Sequence, residues 1–175
     1  YNKEREGKGR VPIHIGIGMH TGPLIMGVIG DTLRMAASVV SDTVNTASRM
    51  EGLTKYFGAR ILSSESVFEQ LEDPSTYAYR YLGKVQVKGR KEPLKVFDFF
   101  DGDSEEIFKK KNRSKATFDV GIQAYYDRNF SKALQAFDEV LVAFPEDKSS
   151  RKFQQKATDC LLNGVPEDWT GIEEM

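Results

Sequence analysis

The 175-residue chain carries 25 Lys and Arg against 26 Asp and Glu, a formal net charge of −1, with 39% hydrophobic and 29% charged residues. That size suits one domain of ordinary dimensions plus a small appendage, and the charge balance excludes a general affinity for nucleic acid or an anionic membrane. The single cysteine, Cys160, excludes an internal disulfide and fits a reducing, cytoplasmic setting. No apolar run reaches the length of a transmembrane helix, and the charged, glycine-bearing start is unlike a signal peptide. Any membrane anchor of the whole protein is expected elsewhere.

Residues 1–10 are polar and read as the frayed end of a helix. Residues 11–19 alternate as a strand, 20–23 (HTGP) make a turn, and 24–30 form a second strand, so the two strands are expected to pair as a hairpin. Gly16, Gly18 and Gly27 weaken these strands unless something approaches their backbones, either a substrate or a packed helix. His14 and His20 lack a third ligand at a telling spacing, which argues against a metal role for either. Residues 31–37 read as a loop.

The central stretch is SVVSDTVNTASRMEG, residues 38–52. Asp42 or Thr43 can cap a helix running through Thr46, Ala47, Met50 and Leu53 to about Tyr56, with Gly58 ending it. Asn45 and Arg49 are four residues apart and share one helical face. An amide and a guanidinium in that arrangement suit an anionic group, phosphate above all; the spacing alone is more often that of a solvated face with an ordinary ion pair.

Residues 59–63 read as a short strand, Ser64 and Glu65 open a helix with Val67, Phe68 and Leu71, and 77–87 alternate as a strand. A basic turn at 88–93 joins it to a partner strand at 94–100. Strands and helices interleaved around antiparallel hairpins predict an α+β fold over residues 1–101. Residues 102–116, acidic and then basic, read as a linker or helix start rather than a nucleic-acid patch, for no aromatics interleave the charges. From 117 to 175 the pattern is helical. Gly121, Tyr125, Ala133, Phe137 and Pro145 fall at the small, aromatic and proline positions of a tetratricopeptide repeat, which the segment resembles. A lone repeat cannot bury its own face, so this helical-hairpin tail should continue into 148–162 and dock on the preceding part or on a protein partner. Trp169 is the anchor candidate for that docking.

Three blocks resemble the class III nucleotidyl cyclases, the adenylate and guanylate cyclases: IGIGMHTGPLIMGVIG at 15–30, DTVNTASRMEG at 42–52 and VKGRKEPLKVF at 87–97. They stand in the family's order and spacing over roughly residues 10 to 100. The resemblance implies a partial ferredoxin-like cyclase sandwich, an antiparallel sheet with helices. It implies conversion of a nucleoside triphosphate to a 3′,5′-cyclic monophosphate and pyrophosphate, by in-line attack of the ribose 3′-oxygen on the α-phosphorus with two divalent metals.

By the same resemblance, Arg49 stands at the transition-state arginine and Asn45 at the ribose-orienting asparagine. Lys88 stands at the lysine that grips the triphosphate, and Ser38 at the base-reading position. Ser38 can donate or accept a hydrogen bond, and the reading favours ATP over GTP. Ser41 replaces the family's usual glycine, and Ala36 and Ala37 replace a bulkier polar pair. The metal aspartates and a second base-reading lysine belong to an N-terminal block of the sense Phe-x-Asp-Ile-x-Gly-Phe that has no counterpart here. The ligands for Mg²⁺ or Mn²⁺ are therefore expected outside this chain. Two function classes follow. One is part of an adenylate cyclase working at a head-to-tail interface of a homo-oligomer, with a guanylate cyclase as the near alternative. The other is a non-catalytic cyclase-like module whose helical tail recruits a protein partner.

Overall fold

The computed structural model describes residues 1–31, 34–87 and 92–174, with the side chains at 29, 31, 34–38 and 40 outside the description. The chain runs α1 (Asn2–Gly7), β1 (Ile17–Met19), β2 (Ile25–Asp31), β3 (Arg34–Val40), α2 (Asp42–Phe57), β4 (Ile61–Ser64), α3 (Glu65–Phe68), β5 (Tyr79–Gln86), β6 (Leu94–Phe99), α4 (Glu105–Tyr126), α5 (Phe130–Ala143), α6 (Lys148–Asn163) and β7 (Glu173–Glu174). Five strands form a sheet in the order β1-β4-β6-β5-β7, and β2 with β3 forms a separate two-stranded sheet. The fold is α+β. The β4/β6 and β5/β6 pairs are antiparallel, whereas β1/β4 and β5/β7 are parallel, so the main sheet is mixed.

The expected hairpin between 11–19 and 24–30 does not form. β1 pairs in parallel with β4, Ile17 opposite Ile61, while β2 pairs with β3, Gly27 opposite Ser38. Residues 34–37, read as a loop, belong to β3. The physical reason is distance along the chain: β2 reaches β3 across two residues, the shortest closure available. β1 instead finds the free edge of β4, a long-range pairing that local periodicity does not encode.

Strand alternation assigns the two faces of the main sheet. Tyr79, Tyr81, Phe97 and Phe99 share one face, by the registers Tyr79 to Phe99 and Tyr81 to Phe97. Phe68 of α3 covers it, stacked on Phe97 at 4.3 Å between centroids. Leu62, Arg80, Leu82, Val96 and Asp98 are buried on the other face, under α2, α4 and α6.

The buried core is continuous from Met50, Leu53 and Phe57 of α2 through Leu82 and Val96 of the sheet to Phe118, Phe137, Phe153 and Ala157 of the C-terminal helices. The stretch 102–116, read as a linker or helix start, is from Glu105 onward the first turns of α4, N-capped by the hydroxyl of Ser104. Its Lys111 is buried against two carboxylates, Asp98 at 2.9 Å and Asp103 at 2.8 Å, and Ser114 is buried with its hydroxyl donating to the Lys110 carbonyl at 2.9 Å. Gly121 lets the Phe137 ring sit against α4, for a Cβ there would meet that ring at 2.7 Å. Trp169 packs edge-on to Tyr125 and Phe130 at 5.2 and 5.3 Å. It therefore anchors the chain after α6 onto the C-terminal helices themselves, not onto the sheet.

Candidate active site

The site is built on α2. Ser41, in extended conformation, caps it by accepting a hydrogen bond from the Thr43 N–H at 2.9 Å; the expected caps Asp42 and Thr43 lie one and two residues too late. The Ser41 and Thr43 hydroxyls both donate to the Pro23 carbonyl, at 2.8 and 2.7 Å, which ties the helix start to the turn before β2. Gly58 ends α2 with φ +67°, the left-handed conformation that glycine adopts without strain.

Two of the three glycines singled out in the sequence explain how α2 is seated. A Cβ on Gly18 would fall within van der Waals overlap of Ala47 O, Glu51 N and Met50 C, and one on Gly16 would collide with the Thr54 side chain. Strand β1 thus lies backbone to backbone against α2, so here the approaching group is a packed helix. Gly27 has nothing within 4 Å of such a Cβ among the described atoms.

Asn45 is exposed in the first turn of α2 and Arg49 half-buried in the next. Among the described residues neither side chain has a hydrogen-bond or ion-pair partner, so both heads remain available to a ligand. Continuing at 4, 3 and 4 residue steps, Asn45, Arg49, Gly52 and Tyr56 form one stripe. Gly52 is exposed, and no described atom lies within 4 Å of where its Cβ would stand, so nothing from that position obstructs the stripe beside Arg49. Ser38 has its backbone in β3 opposite Gly27, and its side chain lies outside the description. Lys88 lies outside the described residues; its predecessor Val87 is buried just beyond the end of β5.

His20 Nδ1 lies 2.8 Å from the Ser64 hydroxyl and 3.1 Å from that of Ser66, a hydrogen-bonded cluster between β1 and β4. His14 lines an apolar cleft of about 410 Å³ with Tyr1, Ile13, Ile15, Ile17 and Arg60, away from Asn45 and Arg49. Among the described residues no group of three or more His, Cys, Asp or Glu could hold a metal ion. The described donors on these elements do not fit a divalent cation.

Sequence reasoning missed Glu173. Its carboxylate accepts from the Tyr56 hydroxyl and from the Lys156 ammonium, although it is 117 residues from Tyr56. Burial, reinforced by that carboxylate, raises the Tyr56 pKa well above the ordinary phenol value. A two-residue strand near the chain's end carries no periodicity by which it could have been found.

The family model for the adenylate and guanylate cyclase catalytic domain matches residues 1–100. An adenylate cyclase of Anabaena cylindrica is 43% identical over 103 residues, which is 56% of this chain and 20% of that protein. The terminal-differentiation-specific adenylate cyclase of Dictyostelium discoideum is 28% identical over 152 residues, 86% of this chain and 7% of that protein, so its similarity extends into the C-terminal helices. The solved guanylyl cyclase Cya2 is 32% identical, covering 56% of this chain and 48% of its own, with a TM-score of 0.47. The chain spans a fifth or less of the length of these two curated relatives. No described helix is long and apolar enough to cross a membrane. With its family blocks on β1, β2 and α2 and its match spanning the first 100 residues, the chain belongs to the adenylate and guanylate cyclase catalytic domain family.

Proposed function

We propose that the chain is the nucleotide-side part of an adenylate cyclase that forms 3′,5′-cyclic AMP and pyrophosphate from ATP in the cytoplasm. The observation that carries this reading is the pair Asn45 and Arg49, without a partner among the described residues and set on successive turns of a helix seated backbone to backbone on β1. A guanidinium on so rigid a support is preorganised, and it serves best where charge develops in the transition state. Arg49 is assigned to the transferring α-phosphoryl group, Asn45 to the ribose, Lys88 to the triphosphate and Ser38 to the adenine edge. Mg²⁺ or Mn²⁺ would be held by carboxylates outside this chain, where it would supply activation of the attacking oxygen and neutralisation of the phosphates. The substrate is ATP, and the adenylate-named relatives support that choice over GTP.

The test is steady-state formation of cyclic AMP by the intact protein. Arg49→Ala should lower kcat by about 10²–10³-fold, the scale for loss of one oxyanion-type donor, with KM little changed. A raised KM at unchanged kcat would remove Arg49 from the transition state. Ser38→Cys should narrow the ATP-over-GTP preference, because a weak thiol replaces a hydroxyl that both donates and accepts. Equal turnover ratios before and after would show that Ser38 does not read the base. An intact protein that makes no cyclic nucleotide from either substrate would leave the non-catalytic reading in its place.

A further inference from the structure

The C-terminal helices do more than cover the sheet; they grip the last turn of the helix that carries Asn45 and Arg49. The Ser149 hydroxyl of α6 donates to the Phe57 carbonyl at 2.9 Å, which satisfies one of the four carbonyls that a helix end leaves open. The Lys148 side chain packs on Gly58, so close that a Cβ there would meet it at 2.9 Å. The Lys152 ammonium sits 4.2 Å above the Tyr56 ring.

Beyond α6 the chain returns as a strap. Arg128 donates to the carbonyls of Glu167 and Trp169, and the Trp169 ring is wedged against Tyr125 and Phe130. Gly171, at φ +69°, lies on the Tyr126 ring, where a Cβ would meet Cε1 at 2.8 Å, so the turn there has both a conformational and a steric need for glycine. The chain then pairs Glu173 with Val85 and Glu174 with Gln86 along β5. Glu173 is 15% exposed and uses both carboxylate oxygens, one on Tyr56 and one on Lys156.

One residue thereby holds two elements. Its backbone is fixed to β5, the strand that leads to Val87 and Lys88, and its side chain is fixed to α2 on the stripe of Asn45 and Arg49. Covering an open sheet edge requires only backbone and apolar contact; a nearly buried carboxylate on a phenol and an ammonium requires more. Tyr56 lies two helical turns beyond Arg49, about 10 Å along the axis. A rotation of α2 by about 10° moves a group some 6 Å from that axis by about 1 Å, and an error of that size at a reacting centre can cost 10²-fold in rate.

We infer that residues 164–174 are a strap that sets the rotation of α2 against the end of β5, with Tyr56 and Glu173 as positioning residues of the cyclase reaction. This rests on the function proposed above. The experiment compares the intact protein with Tyr56→Phe, Glu173→Gln and the double variant, measuring kcat and KM for ATP alongside melting temperature, with Arg49→Ala in the same assay. Each single variant should lower kcat about tenfold with KM within twofold, and the double variant should be no worse than either, as expected for two groups in one link. Wild-type rates in both variants, with Arg49→Ala inactive, would sink the strap and leave the function standing. A loss that follows a lowered melting temperature and vanishes on cooling would also sink it, for that is the mark of a purely structural contact. A wild-type protein with no cyclase activity would overturn both.

Discussion

Gly18 and Gly27 stand in the same sequence block, and nothing local distinguishes them. Their surroundings do. A methyl at Gly18 enters the backbone of α2 near Ala47 and Glu51, where neither partner can rotate away; a methyl at Gly27 meets nothing within 4 Å among the described atoms. Gly18→Ala should therefore destabilise by about 1–3 kcal/mol, the usual cost of overpacking, whereas Gly27→Ala should stay within about 0.5 kcal/mol. Thermal or urea unfolding of the two variants measures the difference. Equal melting temperatures would mean that β1 does not lie on α2 as described. Because α2 carries Arg49, the same Gly18 variant should lose activity beyond its loss of stability.

At the scale of elements, the C-terminal helices are joined to the sheet by buried charge as well as by apolar contact. Arg80 on β5 donates to both oxygens of Asp147, at 2.6 and 3.3 Å, and to Asp98 at 3.2 Å, with its guanidinium 4.5 Å above the Phe118 ring. Lys111 adds a second cation to Asp98, and the Ser150 hydroxyl donates to Asp147 at 2.8 Å. Burial works against ionisation of Asp147. The Arg80 guanidinium, the hydrogen bonds from Arg80 and Ser150 and the nearby Lys111 charge outweigh it and hold the carboxyl below the usual range. A carboxyl with a depressed folded pKa contributes stability that is complete above its unfolded value of about 3.9 and is lost as pH falls through the folded value. The melting temperature should therefore fall steeply below about pH 4, and Asp147→Asn should flatten that slope. Arg80→Met leaves Asp147 buried beside no guanidinium and should cost about 3–5 kcal/mol at neutral pH. A slope identical in wild type and Asp147→Asn would show that other carboxylates govern acid unfolding.

The same scale shows where sequence reasoning reached and where it stopped. α2 was legible through its apolar period and terminal glycine, which are local signals, while its cap proved to be Ser41 and not the expected Asp42 or Thr43. α5 and α6 were legible from their strong apolar stripes. β3 was not, since Arg34-Met-Ala-Ala lacks the β-branched residues that mark a strand, and its pairing with β2 supplies the order. The parallel β1/β4 pair, the Arg80–Asp147 link across 67 residues and the Tyr56–Glu173 link across 117 depend on tertiary closure, which no window of sequence contains. Of the site, the Asn45 and Arg49 stripe was readable; the strap behind it was not.

For the whole molecule, a feature with exposed apolar side chains among the described residues is the β2/β3 hairpin. It forms its own two-stranded sheet, apart from the five-stranded one, and two strands alone are marginal in water. Successive residues of β2 point to opposite faces, yet Ile25 is 75% exposed, Met26 72% and Val28 67%. Both faces of β2 therefore carry exposed apolar side chains, and Leu24 and Val39 extend the patch at 54% and 42%. β3 runs into the Ser41 cap of α2, so whatever covers the hairpin also borders Asn45. We predict that a second copy of the chain covers it, for a second copy would bring matching apolar surface and a further set of site residues to that border. Met26 and Val28 lie two residues apart on one face, so Met26→Glu together with Val28→Glu places two carboxylates in the contact without touching the core. Light scattering after size exclusion should show the wild-type chain as an oligomer and the double variant as a monomer, with far-UV circular dichroism unchanged. In the intact protein, cyclic AMP formation should fall with the oligomer and rise with protein concentration across the dissociation range. A wild-type monomer, or a double variant that keeps its mass, would refute the hairpin as the contact. A monomeric variant with full activity would show that one copy completes the site alone.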